Sequence, residues 1–153
     1  MSHKEEIWLP EELKRDLEEL AKAKYPEEAC ALLIGKRKNE VFEIKRIKSV
    51  ENVWPKKEER KRRYQIEPKE FLLAEREAEA LGFEVIGIFH SHPDYPAFPS
   101  SFDVEVGWEG YLYLIGRVEK EGLKELRAFF FKEKKGFKEV NLKIFSEEVG
   151  NVC

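Results

Sequence analysis

The near-continuous apolar run Val85–Phe89, followed at once by His90-Ser-His92, constrains the fold more than any other stretch of this sequence. An apolar run without alternation is typical of a central strand that is buried on both faces of a sheet. Covering both faces requires packed helices, so the run predicts an α/β architecture. The two histidines at its end should lie on one face, because side chains two residues apart on a strand point the same way.

Helices and further strands are indicated on both sides of this run. Pro10 suits the first turn of a helix, and leucines at helical spacing follow it. Pro68 begins a second helix that is expected to stop at Gly82. Strands are predicted over 29–34, 41–47, 64–66, 111–118, 123–131 and 137–145, and a short helix capped by Asp103 over 104–109.

The chain has 153 residues without a repeat or a Gly/Ser linker, so a single domain over 1–153 with a core of about 8–145 is expected. Its 28 basic and 31 acidic residues give a net charge of −3, which argues against general nucleic-acid binding. No apolar run approaches the ~20 residues of a membrane span, and no signal peptide is recognised, so a cytoplasmic protein is expected. A composition rich in Glu and Lys, with one Met, is typical of thermophiles.

A metal site is indicated by the two histidines and by one aspartate. His90 and His92 on one face can bind a single ion, and Asp103 follows across a proline-rich loop. Asp103 is one of only three aspartates in a chain whose usual acidic residue is glutamate. Two histidines and one carboxylate leave one position of a tetrahedral Zn²⁺ open for water, which is typical of a catalytic site.

Two further residues are candidates for the chemistry. Glu28 is the candidate general base, because it lies where the first helix leads into the strand of Cys30, which is expected to pair near the His90 strand. Ser100 lies between the predicted ligands and can offer a hydroxyl group to a developing oxyanion. Each is an ordinary residue when taken alone, and the prediction depends on their order and spacing.

These residues together resemble the motif of the JAMM (MPN+) metalloproteases. Glu28, His90-Ser-His92, seven intervening residues, Ser100, two more residues and Asp103 match all five fixed positions of that motif. The flanking segments 25–35, 64–71 and 86–93 are similar to the family as well. The resemblance covers roughly residues 8–131 and is nearest to the short stand-alone archaeal members. Ala31 departs from it, since the family usually has glycine there.

The resemblance implies a curved mixed β-sheet flanked by helices, the MPN fold shared with cytidine deaminases. It implies one Zn²⁺ per chain, bound by His90, His92 and Asp103. It also implies that Glu28 moves a proton from the attacking water to the leaving lysine amine, while Ser100 helps to hold the tetrahedral intermediate. The implied reaction is hydrolysis of the isopeptide bond between a ubiquitin-like small modifier and a lysine of its conjugate.

Several alternatives remain open at this point. The same fold can serve as a non-catalytic scaffold, and the same site can serve a peptidase that processes sulfur-carrier proteins. A zinc deaminase would need a Pro-Cys-x-x-Cys pair, which the chain lacks. A cysteine peptidase would need Cys30 as nucleophile, although an apolar run surrounds it; Cys153 forms no disulfide framework with it.

Two segments have a structural and a functional interpretation. Residues 56–63 hold six Lys or Arg and two Glu, and form either a solvated loop or a docking surface for an acidic partner. The aromatic strand Phe129–Phe131 is most simply core, and a homodimer face is the alternative.

Overall fold

The structure, a computed structural model, describes residues 5–132 and 134–146, so Cys153 lies outside the described residues. Three α-helices are present: α1 (Glu11–Lys24), α2 (Pro68–Ala80) and α3 (Ser101–Val106). Seven strands are present: β1 (Glu6–Pro10), β2 (Cys30–Lys38), β3 (Val41–Val50), β4 (Glu84–Pro93), β5 (Leu112–Glu119), β6 (Gly122–Lys132) and β7 (Gly136–Phe145). None of the described helices is long and apolar enough to span a membrane.

The strands form one mixed sheet in the order β1-β3-β2-β4-β5-β6-β7, and β1 also pairs with β7, so the sheet closes on itself. The pairs β1/β3, β1/β7 and β4/β5 are parallel, and the others are antiparallel. The predicted α/β fold with a curved mixed sheet and flanking helices is therefore confirmed. The closure was not predicted, because the sequence analysis placed no strand before Pro10.

Both faces are buried over residues 30–35 of β2 and 85–93 of β4, which explains the apolar runs in these strands. On one face, alternate side chains pack with α1 in a core that includes Leu17, Ala31, Leu33 and Phe89. On the other face, the intervening side chains pack with α2 in a core that includes Leu32, Ile34, Ala74 and Ile88. Ala31, the departure from the family pattern, thus points to the α1 side of the sheet.

The aromatic strand β6 is core, as predicted. Phe129, Phe130 and Phe131 are all buried, with Phe130 on the α1 side and the other two on the α2 side. Phe131 packs edge-on against Phe137 of β7 with ring centroids 4.8 Å apart.

Two local predictions were wrong. Residues 64–66 do not form a strand: the backbone N–H of Gln65 donates to the side chain of Asn52 instead of to a neighbouring strand. The short helix covers Ser101–Val106 rather than 104–109, and its N-cap is Ser100 rather than Asp103. In both places a side chain accepts a hydrogen bond from a backbone N–H group, and hydrophobic periodicity does not reveal such bonds.

Gly87 of β4 allows close approach to β5, and its replacement by alanine tests this contact. A Cβ atom at this position would lie 2.2 Å from the backbone oxygen of Leu112, so the two strands must separate. We expect Gly87→Ala to lower the free energy of unfolding by about 3 kcal/mol, or roughly 10 °C in Tm. Thermal unfolding measures this. Gly82→Asn is the control, because Gly82 has φ 78° and open space around it; equal Tm values for both variants would contradict the prediction.

Candidate metal centre

Three candidate ligands converge at the end of the central strand. His90 and His92 lie in the last residues of β4, and Asp103 lies in α3, which follows the loop after β4. Asp103 Oδ1 is 3.1 Å from His90 Nε2, and Asp103 Oδ2 is 3.0 Å from His92 Nε2. All three side chains are buried, and their ligand atoms lie within 4.8 Å of one another. This arrangement brings two imidazole nitrogens and a carboxylate around one point.

The buried polar atoms of this cluster are not satisfied by the protein. In the described part of the chain, every buried side-chain N or O atom without a hydrogen bond belongs to Glu28, His90 or Asp103. His90 Nε2 is close to Asp103 Oδ1 but does not form a hydrogen bond with it. Since buried polar groups are almost always paired in folded proteins, atoms left unpaired together indicate a missing ligand.

The orientation of His92 favours a cation at this point. Its Nδ1 lies 2.7 Å from the carbonyl oxygen of Pro96, a pure acceptor, so Nδ1 carries the proton in this interaction. In a neutral ring, Nε2 then directs a lone pair toward Asp103 Oδ2, and burial lowers the pKa of His92, which favours the neutral ring. Two facing acceptors repel each other unless a positive charge lies between them. The hydrogen bond from Nδ1 to Pro96 also fits a metal site, because a histidine that binds a metal through one ring nitrogen usually donates its other N–H to an acceptor.

Asp103 is held in place by the start of α3. Its Oδ2 accepts a hydrogen bond from the backbone N–H of Ser100 at 2.8 Å, and its own N–H donates to Ser100 Oγ at 3.1 Å. This reciprocal capping box fixes both side chains. Burial alone would raise the pKa of Asp103, but the nearby imidazoles of His90 and His92 hold it well below its usual range. The carboxyl is therefore ionised, as a metal ligand must be.

The structure places Glu28 beside this cluster, through the pairing of β2 with β4. Cys30 lies opposite His90 in the register of the two strands, which confirms the expected pairing. Ser91, between the two histidines, accepts a hydrogen bond from Ala29 N–H at 2.8 Å through its Oγ atom and donates its own N–H to Ala29 O at 3.0 Å. These bonds attach the residue after Glu28 directly to the strand that carries the histidines.

Asn52 fixes the other side of Glu28. Its Nδ2 donates to the carbonyl oxygens of Glu28 at 3.1 Å and Arg63 at 3.0 Å, and its Oδ1 accepts from the N–H groups of Trp54 and Gln65. The backbone N–H of Glu28 donates to Arg60 O at 2.7 Å. The loop between β3 and α2 therefore holds the backbone of Glu28 from both ends.

Tyr95 binds only one of the two oxygens of the Glu28 carboxyl group. Its hydroxyl donates to Glu28 Oε2 at 2.6 Å, whereas Oε1 has no partner. The Tyr95 ring also stacks on His92 with centroids 4.1 Å apart. Burial raises the pKa of Glu28 to about 8, with smaller opposing contributions from His90 and Tyr95. A carboxyl group with this pKa can accept and release a proton near neutral pH.

The aromatic and amide side chains that surround the candidate residues were not predicted from the sequence. Tyr64 stacks on His90 with centroids 4.6 Å apart, and Tyr95 stacks on His92. Tyr64 was singled out only as part of a strand, and Asn52 and Tyr95 were not singled out at all. Asn52 lies 24 residues and Tyr95 67 residues from Glu28 in sequence, so local spacing carries no signal for either contact.

Cys30 does not fit the role of a nucleophile. Its side chain is buried, and burial raises the pKa of the thiol to about 12. Its Sγ lies 3.8 Å from the carbonyl oxygen of Val50 as a weak donor. A reactive cysteine needs a lowered pKa and access to substrate, so the alternative of a cysteine peptidase is wrong.

The donor set fits Zn²⁺. Two histidine nitrogens and one carboxylate oxygen are ligands that zinc accepts, and three protein ligands leave a position open. The unpaired Oδ1 of Asp103 and Nε2 of His90 are the atoms that an ion at this point would satisfy. Glu28 Oε1 is buried without a partner as well.

Comparison with known proteins agrees with this geometry. Residues 10–131 match the family described as prokaryotic homologs of the JAB domain. The chain is 33% identical to the desampylase of Pyrococcus furiosus over 115 residues, which cover 75% of this chain and 74% of that protein. It is 38% identical to the desampylase of Haloferax volcanii over 53 residues, or 34% of this chain and 38% of that protein.

Solved structures show the same fold. A protein from Desulfitobacterium hafniense superposes with a TM-score of 0.80 at 26% identity, covering 92% of this chain and 94% of that chain. A JAB1/MPN domain protein from Archaeoglobus fulgidus superposes with a TM-score of 0.55 at 20% identity, covering 94% of this chain and all of that chain (100%). From its family match and its relatives, the chain belongs to the prokaryotic homologs of the JAB domain and is an enzyme of the JAMM metalloprotease type, similar to the desampylases.

Proposed function

We propose that this chain is a zinc-dependent isopeptidase that cuts the bond between the C-terminal glycine of a small archaeal ubiquitin-like modifier and a lysine side chain. The observation that carries the proposal is the set of unpaired buried atoms on Glu28, His90 and Asp103. A non-catalytic scaffold would gain nothing from these atoms, because unpaired buried polar groups destabilise a fold. The similarity to desampylases supports the choice of substrate class.

In this proposal His90, His92 and Asp103 hold the ion. A bound Zn²⁺ would supply Lewis acidity, which lowers the pKa of a coordinated water and polarises the scissile carbonyl group. Asp103 is kept ionised and fixed by the cap of α3, and His92 is oriented by its bond to Pro96. These contacts set the positions of the ligands before the substrate arrives.

Glu28 moves the proton in this reaction. Its free Oε1 takes a proton from the attacking water as the new C–O bond forms. The same carboxyl group then gives the proton to the lysine nitrogen as the C–N bond breaks, so that the amine leaves in neutral form. Tyr95 holds Oε2 during both steps and keeps Oε1 directed to the reacting side.

Ser100 stabilises the developing negative charge. Its Oγ accepts a hydrogen bond from Asp103 N–H, so its own proton is free to be donated. A donor that is fixed before reaction stabilises an oxyanion better than one that must reorganise. The capping box thus orients the ligand Asp103 and the donor Ser100 with the same pair of bonds.

Substitution of the candidate aspartate ligand should weaken metal binding. We expect about one zinc per chain in the wild type and a loss of tenfold or more in affinity in Asp103→Asn, which keeps an oxygen for the cap. Metal content after zinc loading and gel filtration measures this, with competition by a chelator for the affinity. Asp94→Asn is the control, because Asp94 lies in the same loop, exposed, with its Oδ2 accepting from Tyr25. Wild-type zinc content and affinity in Asp103→Asn would reject the ligand assignment.

Replacing the proposed base should remove turnover and leave the metal in place. Glu28→Gln cannot accept a proton, so kcat on a Gly-Gly isopeptide substrate should fall by about 10²–10⁴-fold at unchanged zinc content. Glu27→Gln is the matched control at the neighbouring position. If Glu28→Gln cleaves at a rate within about threefold of the wild type, Glu28 is not the base.

The pH dependence of stability isolates the burial of Glu28. Below the ordinary pKa of 4.5, Glu28 is protonated in the folded and the unfolded metal-free protein; between 4.5 and about 8 only the unfolded chain loses its proton. The contribution of Glu28 to the free energy of unfolding therefore falls as pH rises through this window and is constant above it. Glu28→Gln has no carboxyl group at this position, so its free energy of unfolding does not undergo this fall with pH.

We therefore expect the Tm of metal-free Glu28→Gln to exceed that of the metal-free wild type by a margin that grows from pH 5 to pH 8, reaching several degrees. Thermal unfolding of both proteins in chelator across this range measures the margin. Titrating groups far from Glu28 shift both curves equally, so the difference reports on Glu28 together with the groups coupled to it, chiefly His90. A margin that does not change with pH would contradict the raised pKa.

A further inference from the structure

The segment of residues 56–63, called here the basic segment, carries six basic and two acidic residues, in a chain where acidic residues outnumber basic ones. In the described part of the chain, no carboxylate lies within ion-pair distance of any of its six cationic side chains. Elsewhere Lys14 pairs with Glu18, and Arg127 pairs with Glu125. Apart from its own Glu58 and Glu59, the described part of the protein therefore leaves the positive charge of the basic segment without an ion pair.

The basic segment is attached to the candidate metal centre. Its residue Arg60 accepts the backbone hydrogen bond of Glu28, and Asn52 joins Arg63 O to Glu28 O. The Arg62 guanidinium lies 5.5 Å from the centroid of the Tyr95 ring, and Tyr95 in turn binds Glu28. These contacts argue against a freely solvated loop, which was one of the two interpretations of this segment.

Arg63 is held on the neighbouring side of the site. Its guanidinium lies 5.5 Å from the ring centroid of Trp54 and 5.3 Å from that of Phe102. Both rings line an open apolar cavity of about 320 Å³ next to Tyr64, the residue that stacks on His90. Arg63 therefore lies against two rings of a cavity that Tyr64 also lines.

Arg62 and Arg63 are suited to binding carboxylate groups. Both are exposed, and the guanidinium group of each lies over an aromatic ring, a contact that restricts the freedom of the side chain. A planar guanidinium matches a carboxylate with two parallel hydrogen bonds. Because the side chains are already ordered, less conformational entropy is lost when such bonds form.

We propose that Arg62 and Arg63 form a docking surface for carboxylate side chains in the C-terminal tail of the modifier, just before its Gly-Gly end. This inference rests on the proposed function and adds a selection by charge. An extended tail rises about 3.3 Å per residue, so a few residues are enough to pass from the metal centre to the arginines. A modifier with an acidic tail is preferred, and one with a basic tail is repelled.

The test uses fluorescent peptides that end in Gly-Gly, joined through the last glycine to the lysine side chain of a short peptide. Three versions carry Glu, Gln or Lys at the two positions before Gly-Gly. Binding is measured by fluorescence anisotropy to zinc-loaded protein with the Glu28→Gln substitution, so that the peptides stay intact. We expect the Glu peptide to bind about tenfold more tightly than the Gln peptide at about 50 mM salt, and the Lys peptide to bind more weakly than either.

Substitution of both arginines should remove this preference. With Arg62→Gln and Arg63→Gln, the two peptides should bind almost equally, so that the ratio of the Kd values for the Gln and Glu peptides is within about twofold of one. The protein that keeps both arginines should show the same small ratio at about 500 mM salt, because salt screens the charges. Arg37→Gln is the matched control, because Arg37 also lies over an aromatic ring, Phe42, but at the far end of β2 from Glu28. The control should keep the tenfold preference.

The proposal is overturned if the Glu and Gln peptides bind equally, if the preference survives both substitutions, or if the Glu peptide shows no binding at millimolar concentration. Cleavage of the same peptides by the wild type separates this proposal from the proposed function. Arginine-dependent binding without any cleavage would reject the isopeptidase and keep the docking surface. Cleavage at rates independent of tail charge, with equal binding, would keep the isopeptidase and reject the docking surface.

Discussion

The burial of two carboxyl groups beside two imidazoles is the constraint on which this structure depends. Glu28, His90, His92 and Asp103 are each at most 2% exposed, and a charge without a partner at such depth is strongly unfavourable. The protein supplies only part of the compensation, through Tyr95 and the cap of α3. The remainder fits a divalent cation, so metal binding and folding should be coupled in this molecule.

The arrangement depends on the pairing of β2 with β4 more than on the strands farther around the closed sheet. Strands β2 and β4 bring the proposed base and the candidate histidine ligands to the same end of the sheet, and Ser91 sets their relation with two hydrogen bonds to Ala29. The side chain of Ser91 points to the opposite face from the histidines and is itself buried. The small hydroxyl residue between the two candidate ligands therefore aligns the strands, and the histidines on either side of it face the candidate metal centre.

The parts of the fold that could be predicted from sequence are those in which hydrophobic periodicity and end signals agree. Helix α2 begins at Pro68, and β4 contains the apolar run Val85–Phe89, so both were predicted close to their observed bounds. The candidate ligands could be named because their types are rare in this chain and their spacing is regular. The contacts of Asn52 and Tyr95 could not, because each depends on a loop conformation that has no periodicity. Strand β1 is short and ends in proline, so it gave no alternation to detect.

Asn52 has one more consequence. Its Oδ1 accepts a hydrogen bond from the N–H of Gln65, 13 residues later, so the loop between the two residues is closed into a ring. Its Nδ2 donates to the carbonyl oxygen of Glu28, so the closing point of the ring, called here the neck, lies against Glu28. The entropy of closing such a ring grows only slowly with its length, so residues can be inserted or exchanged around its circumference at small cost. The neck, and with it the backbone of Glu28, would keep its position. Relatives could thus acquire new preferences for their targets through this ring while the hydrolytic chemistry remained unchanged.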